Sequence, residues 1–388
     1  MNVGMVAGEA SGDLLAAAVL ARLGGSGAGV AEAAGVEVRS AGGPRCAGIG
    51  GPAMVAEGFE AWWPSELLAV HGYAAALKVY AGLLRIRRQL GSRLIAWPSA
   101  CFVGVDAPDF NLGLELRLRA QGIRTLHFVS PSIWAWRRER IETIRRAVDR
   151  MLLVFPFEQQ IYRDAGIAAT YCGHPLADRI PFEPDRIGAR AALGYGEHDT
   201  VIAVLPGSRG SEVAHLGPVF IAAVALLARR HRNWRFVIPA AGPERRRELD
   251  ALLAARPVDA DLRIVDGRSH TVLAACDVTL IASGTATLEA MLFKRPMVIA
   301  YRMAALSYRL MKSRAYLPYV GLPNILCGEF VVPELIQDAA TPAALAAAVE
   351  ARLDDIAGNF RLAERFAAIH RELARDCAAR VAEAIQAR

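Results

Sequence analysis

Short apolar runs alternate with helical segments from one end of the chain to the other, and this alternation restricts the fold to parallel α/β units. In the first half, strands are predicted near 2–7, 46–50, 101–105, 125–129, 151–155 and 169–172. Helices are predicted over 12–23, 74–90, 113–121, 134–148 and 157–165. The pattern breaks at GHPLADRIPFEPD (173–185), where Pro175, Pro181 and Pro184 mark a linker. A second series follows, with strands near 201–205, 235–239, 262–265, 278–283 and 297–301, and roughly the last 50 residues, ending around Arg388, read as Ala-rich helix. At 388 residues the chain is long for one core, so two similar α/β halves are expected. Loops at the carboxyl ends of their strands should face a shared cleft.

Two strand–loop–helix junctions in the second half point to a phosphorylated ligand. LPGSRGSE (205–212) follows VIAVL (201–205), and GTATLE (284–289) follows VTLIAS (278–283). Free N–H groups at a helix start favour anions, and Gly207 and Gly210 let the backbone come close. Arg209 adds a planar, permanently charged fork suited to phosphate. One glycine-rich turn is usually only a turn; the pair, with Arg209 and the acid Glu289, favours a site.

In the first half GEASGD (8–13) opens the first helix, with Ser11 or Asp13 able to cap it. It lacks G-x-G-x-x-G, which argues against a dinucleotide. Glu9 at a helix start repels phosphate, so it is suited to hydroxyls. GVDAPDFN (104–111) sets Asp106 at the carboxyl end of CFVGV (101–105). There it reads either as a turn cap or as a general base for an attacking hydroxyl. SPSIWAWRRER (130–140) carries Ser130, Ser132, Trp134, Trp136, Arg137, Arg138 and Arg140. It is either a solvated basic face or a binding surface for a sugar and a phosphate. The stretch 67–90 is apolar on too many faces for an ordinary surface helix. It is either buried core or a face for acyl chains and a membrane interface, with Arg85, Arg87 and Arg88 meeting lipid phosphates. His71 within it reads as structural, and GGSGAG (24–29) as a flexible loop.

Bulk properties narrow the partner classes. Hydrophobic residues make up 54% and charged residues 22%, which describes a folded globular chain. A net charge of +6 is mild, and no nucleic-acid module accompanies the basic clusters at 78–93 and 137–150. Six scattered cysteines without CxxC read as reduced thiols of a cytosolic protein. The chain opens on a strand rather than a signal peptide, and no uninterrupted apolar run approaches the ~20 residues of a spanning helix. No His/Cys cluster has zinc spacing. Asp259-Ala260-Asp261 precedes a strand instead of following one, so it reads as a polar loop. No metal or other cofactor is therefore expected, and Arg side chains with helix dipoles are left to neutralise a leaving diphosphate.

Taken together the motifs resemble the lipid-A-disaccharide synthase family, inverting glycosyltransferases of the GT-B fold. The matching segments are VAGEASGD (6–13), ELLAVHGY (66–73), VGVDAPDFN (103–111), VSPSIWAWR (129–137) and FPFE (155–158). They continue through GHPLAD (173–178), LPGSRGSEV (205–213), ASGTATLE (282–289), YRM (301–303) and YVGLPN (319–324). The resemblance implies two Rossmann-like domains facing each other across a cleft: an acceptor domain over 1–172, a UDP-sugar domain over 173–355, and a C-terminal helical segment, 356–388, crossing back onto the first. It implies transfer of 2,3-diacylglucosamine from UDP to the 6-hydroxyl of 2,3-diacylglucosamine 1-phosphate, with Asp106 as the base.

UDP would be held by Gly207, Ser208, Arg209, Gly210, Ser283, Gly284, Thr285, Glu289 and Asn324, with Arg209 on the diphosphate and Glu289 on the ribose. Glu9, Ser11, Gly12, Ser130, Ser132, Trp134 and Arg137 would meet the sugars and acceptor. Such an enzyme would be cytoplasmic and peripheral on the inner face of the inner membrane, held through 67–90; an oligomer is left open. Two departures stand in the first half: GGP occurs twice in 40–54, with Ala53 where the family pattern has Arg, and WPSACFVGVD (97–106) lacks the usual Pro-Asp. The rival readings are a peptidoglycan-type lipid glycosyltransferase, a UDP-N-acetylglucosamine 2-epimerase, or a non-catalytic lipid or nucleotide binder.

Overall fold

A computed structural model describes residues 1–25, 43–68, 76–304, 308–309 and 316–387. His71, most of GGSGAG and residues 69–75 of the apolar stretch lie outside them. The chain forms two compact units, Met1–Asp178 with Glu372–Arg388, and Arg179–Arg371.

The first unit holds β1 (Asn2–Ala7), β2 (Arg45–Gly50), β3 (Glu60–Pro64), β4 (Cys101–Val105), β5 (Arg124–Phe128), β6 (Arg150–Leu153) and β7 (Ala169–Tyr171). They make one parallel sheet in the order β3-β2-β1-β4-β5-β6-β7. The second unit holds β8 (Val201–Leu205), β9 (Arg235–Ala240), β10 (Asp261–Asp266), β11 (Val278–Ala282), β12 (Met297–Tyr301) and β13 (Glu334–Ile336). This sheet is also parallel, ordered β10-β9-β8-β11-β12-β13. Central strands such as CFVGV and VIAVL are buried along their whole length, as helix-covered parallel strands must be.

Strand order matters more than strand number here. In the first sheet the direction of winding reverses between β1 and β4, and in the second between β8 and β11. At such a reversal the two following loops leave in opposite directions and open a crevice at the carboxyl ends. GEASGD follows β1 and VDAPDF follows β4; LPGSRGSE follows β8 and SGTATLE follows β11. All four motif loops therefore stand at the two switch points.

Several expectations about elements are corrected. The helix expected over 134–148 starts only at α5 (Arg140–Ala147), because Arg137 takes positive φ and interrupts the turn. The helix expected from 113 starts earlier, as α4 (Pro108–Arg119), with Pro108 in the first turn where its missing N–H is harmless. Edge strands β3 and β13, short and half-exposed, gave too weak a pattern to read. The C-terminal segment is three helices, Pro342–Asp354, Ile356–Leu373 and Cys377–Gln386. Thr341 caps the first and Asp376 the last through their side chains.

The units divide at 178/179 and 371/372, where the sequence suggested 172/173 and 355/356. His174 N–H donates to Leu373 O, and the Asp178 carboxylate accepts from Asp376 N and Cys377 N, which ties the start of the linker to the first unit. Residues 356–371 stay with the second, through buried Phe366 and an Arg365–Glu329 ion pair. Cys377–Gln386 packs on α1 (Ala10–Gly25), and Arg124 donates to the carbonyls of Ala384, Ile385 and Ala387 at its end.

Helix α9 (Gly210–Arg230) is apolar and long enough to cross a membrane by length and composition, with mean hydropathy 1.7. It instead lays Phe220, Val224 and Leu227 into the core of the second unit.

Candidate functional site

Asp106 follows β4 in a left-handed conformation, φ 50°, with Ala107 also left-handed. For non-glycine residues this is a strained state that needs support. Asp106 N–H donates to Phe128 O at 2.8 Å, and its carbonyl accepts from the Asn111 amide at 2.8 Å. The backbone is thus held from both sides while the carboxyl stays on the surface of two cavities. One, of about 360 Å³, is lined by Ser130, Ser132, Trp136, Arg137 and Arg140. The other, of about 350 Å³, is lined by Glu9, Leu68, Leu83, Leu84, Arg87 and Phe110. Burial pushes the Asp106 carboxyl above the usual carboxylate range. The charge of His127 and the Ala107 backbone oppose that, while Glu9 adds to it. Asp109 is largely exposed and paired with Arg140. Both aspartates line both cavities, and Asp106 is the less exposed of the two.

The GEASGD loop divides its residues. Glu9 and Ser11 are exposed, whereas Gly12, expected beside a sugar, is buried near Ala7 and the Val105 carbonyl. Asp13 caps a different helix from the expected one. Its carboxylate accepts from Gly51, Ala53 and Met54 N–H at the start of α2 (Pro52–Ala56). The second GGP of the 40–54 segment is therefore the one built into this junction.

The 130–140 segment is also redistributed. Ser130 lines the first cavity, but its hydroxyl is committed to Tyr162 at 2.7 Å and Pro131 O at 3.0 Å. Beneath it Glu158 is buried, accepts from Phe155 N–H and is pushed up to about 8 by burial. Trp134 packs edge-on against Phe155 and Phe157 and holds the loop. Trp136 faces the cavity instead, with the Arg137 guanidinium 4.2 Å from its ring centre. The basic cluster is mostly paired: Arg140 with Asp109, Arg145 with Glu142 and the Ala165 carbonyl, Arg150 with Thr170. The 67–90 stretch divides its apolar side chains between two environments. Leu90 joins the core with Leu94 and Phe102, while Leu83 and Leu84 line the second cavity.

In the second unit Gly207 has φ 130°, and a Cβ there would stand 2.4 Å from that of Glu212. The Glu212 carboxylate accepts from Ser208 N–H at 3.0 Å and Arg209 N–H at 3.3 Å. These two donors, expected to be free for an anion, are occupied by the chain's own acid. The Arg209 side chain is 74% exposed and lies 3.3 Å from Glu212. Tyr301 stands nearby, its phenol pushed up by burial and Glu212 against the pull of Arg209.

Across the switch, Gly284 and Thr285 are exposed at the start of α12 (Thr285–Leu292), and Glu289 lies 3.5 Å from His270. Ser283 donates its hydroxyl to Val320 O. Asn324 is fully buried. Its amide nitrogen donates to Val332 O and Glu334, and its oxygen accepts from Val331 and Val332 N–H. Glu334 also accepts from Val320 and Gly321 N–H. Ser283 and Asn324, expected at the nucleotide, are thus hydrogen-bonded to the 319–332 loop. The DxD acids are paired with arginines, Asp259 with Arg232 and Asp261 with Arg235 and Arg263.

Sequence reasoning named Trp136 and Arg140 without separating them from their neighbours, and passed over Glu212 and a buried His127–Glu115 pair under Asp106. The last had a readable signal: a histidine inside the strand RTLHF and a glutamate on the apolar helix LGLELRL.

The Lipid-A-disaccharide synthetase family model matches residues 3–385. A lipid-A-disaccharide synthase from Albidiferax ferrireducens is 52% identical over 391 residues, covering 100% of this chain and 97% of the relative. One from Paraburkholderia phytofirmans is 50% identical over 385 residues, covering 99% and 95%. Among solved structures, a putative UDP-N-acetylglucosamine 2-epimerase from Listeria monocytogenes aligns with TM-score 0.65 at 11% identity, covering 99% of this chain and 95% of that one. The glycotransferase of kitacinnamycin aligns with TM-score 0.62 at 17% identity, covering 99% and 98%. The fold of two parallel α/β units is the one found in GT-B glycosyltransferases. With its motif loops at both switch points and half its residues shared with these relatives, the chain belongs to the lipid-A-disaccharide synthetase family of glycosyltransferases.

Proposed function

We propose that the chain transfers a 2,3-diacylglucosaminyl group from its UDP carrier to the 6-hydroxyl of 2,3-diacylglucosamine 1-phosphate. The products are the β-1,6-linked disaccharide 1-phosphate and UDP. The observation that carries the reading is the site of Asp106, where a cavity bearing Trp136, Arg137 and Arg140 meets one bearing Leu68, Leu83, Leu84 and Phe110. A phosphorylated sugar with acyl chains has a polar and an apolar part, and these cavities suit one each.

In the reaction the acceptor oxygen bonds to the donor's anomeric carbon, the bond from that carbon to the diphosphate oxygen breaks, and UDP departs with the electron pair. The hydroxyl proton goes to the Asp106 carboxylate. Attack from the face opposite the diphosphate inverts the configuration. Glu9, Ser11, Ser132 and Arg137 orient the sugars. Arg209 binds the diphosphate after leaving Glu212, and the helix start at Gly284 and Thr285 adds its dipole. Glu289 accepts from the ribose hydroxyls. Leu67, 41% exposed, and the adjoining apolar stretch would rest on the inner membrane surface from which the lipid substrates come.

The test supplies purified protein with UDP-2,3-diacylglucosamine and the 1-phosphate acceptor in detergent. Disaccharide 1-phosphate and UDP in equal amounts are expected. Intact substrates after prolonged incubation, or turnover of UDP-N-acetylglucosamine instead, would refute the proposal.

A further inference from the structure

Directly behind Asp106 the first unit buries a polar cluster in otherwise apolar surroundings. His127 on β5 and Glu115 on α4 both have zero exposure, and His127 Nδ1 lies 2.7 Å from Glu115 Oε1. Gly104, in register with His127, makes room for them: a Cβ there would stand 2.2 Å from Glu115 Oε1. Among the described residues, His127 Nε2, Glu115 Oε2 and Asn111 Oδ1 meet no hydrogen-bond partner. A buried ion pair costs several kcal/mol per ion in desolvation, and apolar side chains of the same size commonly serve stability as well or better. A glycine inside a strand, spent on accommodating such a pair, therefore calls for a reason other than stability.

We propose that His127, held as an imidazolium by Glu115, is a positioning residue that keeps Asp106 ionised and ready to accept the acceptor's proton. This rests on Asp106 being the base. Burial works against the imidazolium, but the charge and hydrogen bond of Glu115, with the charge of Asp106 added, hold His127 above its ordinary range. Burial in turn pushes the Asp106 carboxyl up, and His127 is the largest opposing influence. Glu9 faces Asp106 from the β1 loop and pushes the other way; Arg87, Asp109, Arg137 and Arg140 face it from the two cavities. Those four stand where substrate binds, whereas His127 is fixed behind the carboxylate and keeps its charge whatever occupies the site. The pair takes no proton from the substrate.

The test is the pH profile of kcat/KM for wild type, His127→Gln, the double variant Glu115→Gln/His127→Gln, and Asp106→Asn. Losing a nearby opposite charge should move the acidic limb upward by roughly one pH unit, about a tenfold loss below the limb with recovery at alkaline pH. The double variant leaves no charge buried without a partner and carries the measurement if the single one does not fold. In wild type, ¹⁵N NMR of labelled histidine should find one buried imidazolium at neutral pH. A neutral tautomer there overturns the proposal without any variant. So does a loss of the same factor at every pH, which is what a structural role alone would give. Activity retained by Asp106→Asn would instead overturn the base assignment itself.

Discussion

Asn324→Ala separates a residue that shapes the site from one that touches the ligand. In the native fold its amide makes four hydrogen bonds: to Val332 O at 2.9 Å and Glu334 at 2.8 Å, and from Val331 N–H at 2.8 Å and Val332 N–H at 3.0 Å. Alanine strands three neutral backbone groups and one charged oxygen. At about 1 kcal/mol for each neutral bond and about 2 for the charged one, the loss approaches 5 kcal/mol, and water entering the gap returns part of it. We expect about 3–4 kcal/mol of destabilisation, which for a unit of this size lowers the melting temperature by roughly 6–16 °C. Thermal melts followed by tryptophan fluorescence, with and without UDP, measure it. At a temperature where the variant is folded, UDP should bind more weakly, through disorder of the 319–332 loop. If instead Asn324→Ala melts with wild type and has lost UDP binding, the amide touches nucleotide and the clasp is wrongly assigned.

Asp106→Asn should lower kcat by about a hundred- to ten-thousandfold, the usual worth of a general base, with UDP affinity unchanged by titration calorimetry. Because burial raises the Asp106 carboxyl, its folded state is favoured below the ordinary carboxylate range and loses that advantage as pH rises through the raised value. The variant should thus be more stable than wild type near neutral pH, and the two should converge in acid, as denaturant titrations at several pH values would show. Arg209→Ala should raise the Kd for UDP roughly ten- to hundredfold, as expected for about 1.5–3 kcal/mol from a charge-assisted bond; an unchanged Kd removes Arg209 from the diphosphate. Glu158, pushed from 4.5 to about 8, favours the folded state fully below pH 4.5 and progressively less up to about pH 8. Glu158→Gln should flatten that slope in urea titrations, and an unaltered slope would mean that Glu158 is ionised in the fold.

Much of the site was legible because its chemistry is local. Asp106 at a strand's carboxyl end, Glu9 at a helix start and Arg209 in a glycine-rich turn can each be read within a few residues. Trp134 and Trp136 show where that ends. Two positions apart in one loop, they differ only in which one finds Phe155 and Phe157, and those rings come from another segment of chain. Ser283 and Asn324 sit in motif loops and look like ligand contacts, yet their partners, Val320 O and Glu334, arrive from elsewhere in the sequence.

The sequence alone determined the two α/β halves, the four motif loops and the kinds of side chain they carry, because apolar periodicity and turn chemistry are properties of neighbours along the chain. The tertiary structure decided which loops share a crevice, since strand order is set by pairings between distant segments. It also decided which polar groups are already spent, as with Glu212 on the N–H groups of Ser208 and Arg209. And only the packing of α4 on β4 and β5 sets a buried His127–Glu115 pair behind Asp106. Hydrogen-bond partners and burial are assigned in three dimensions, between groups that lie far apart along the chain.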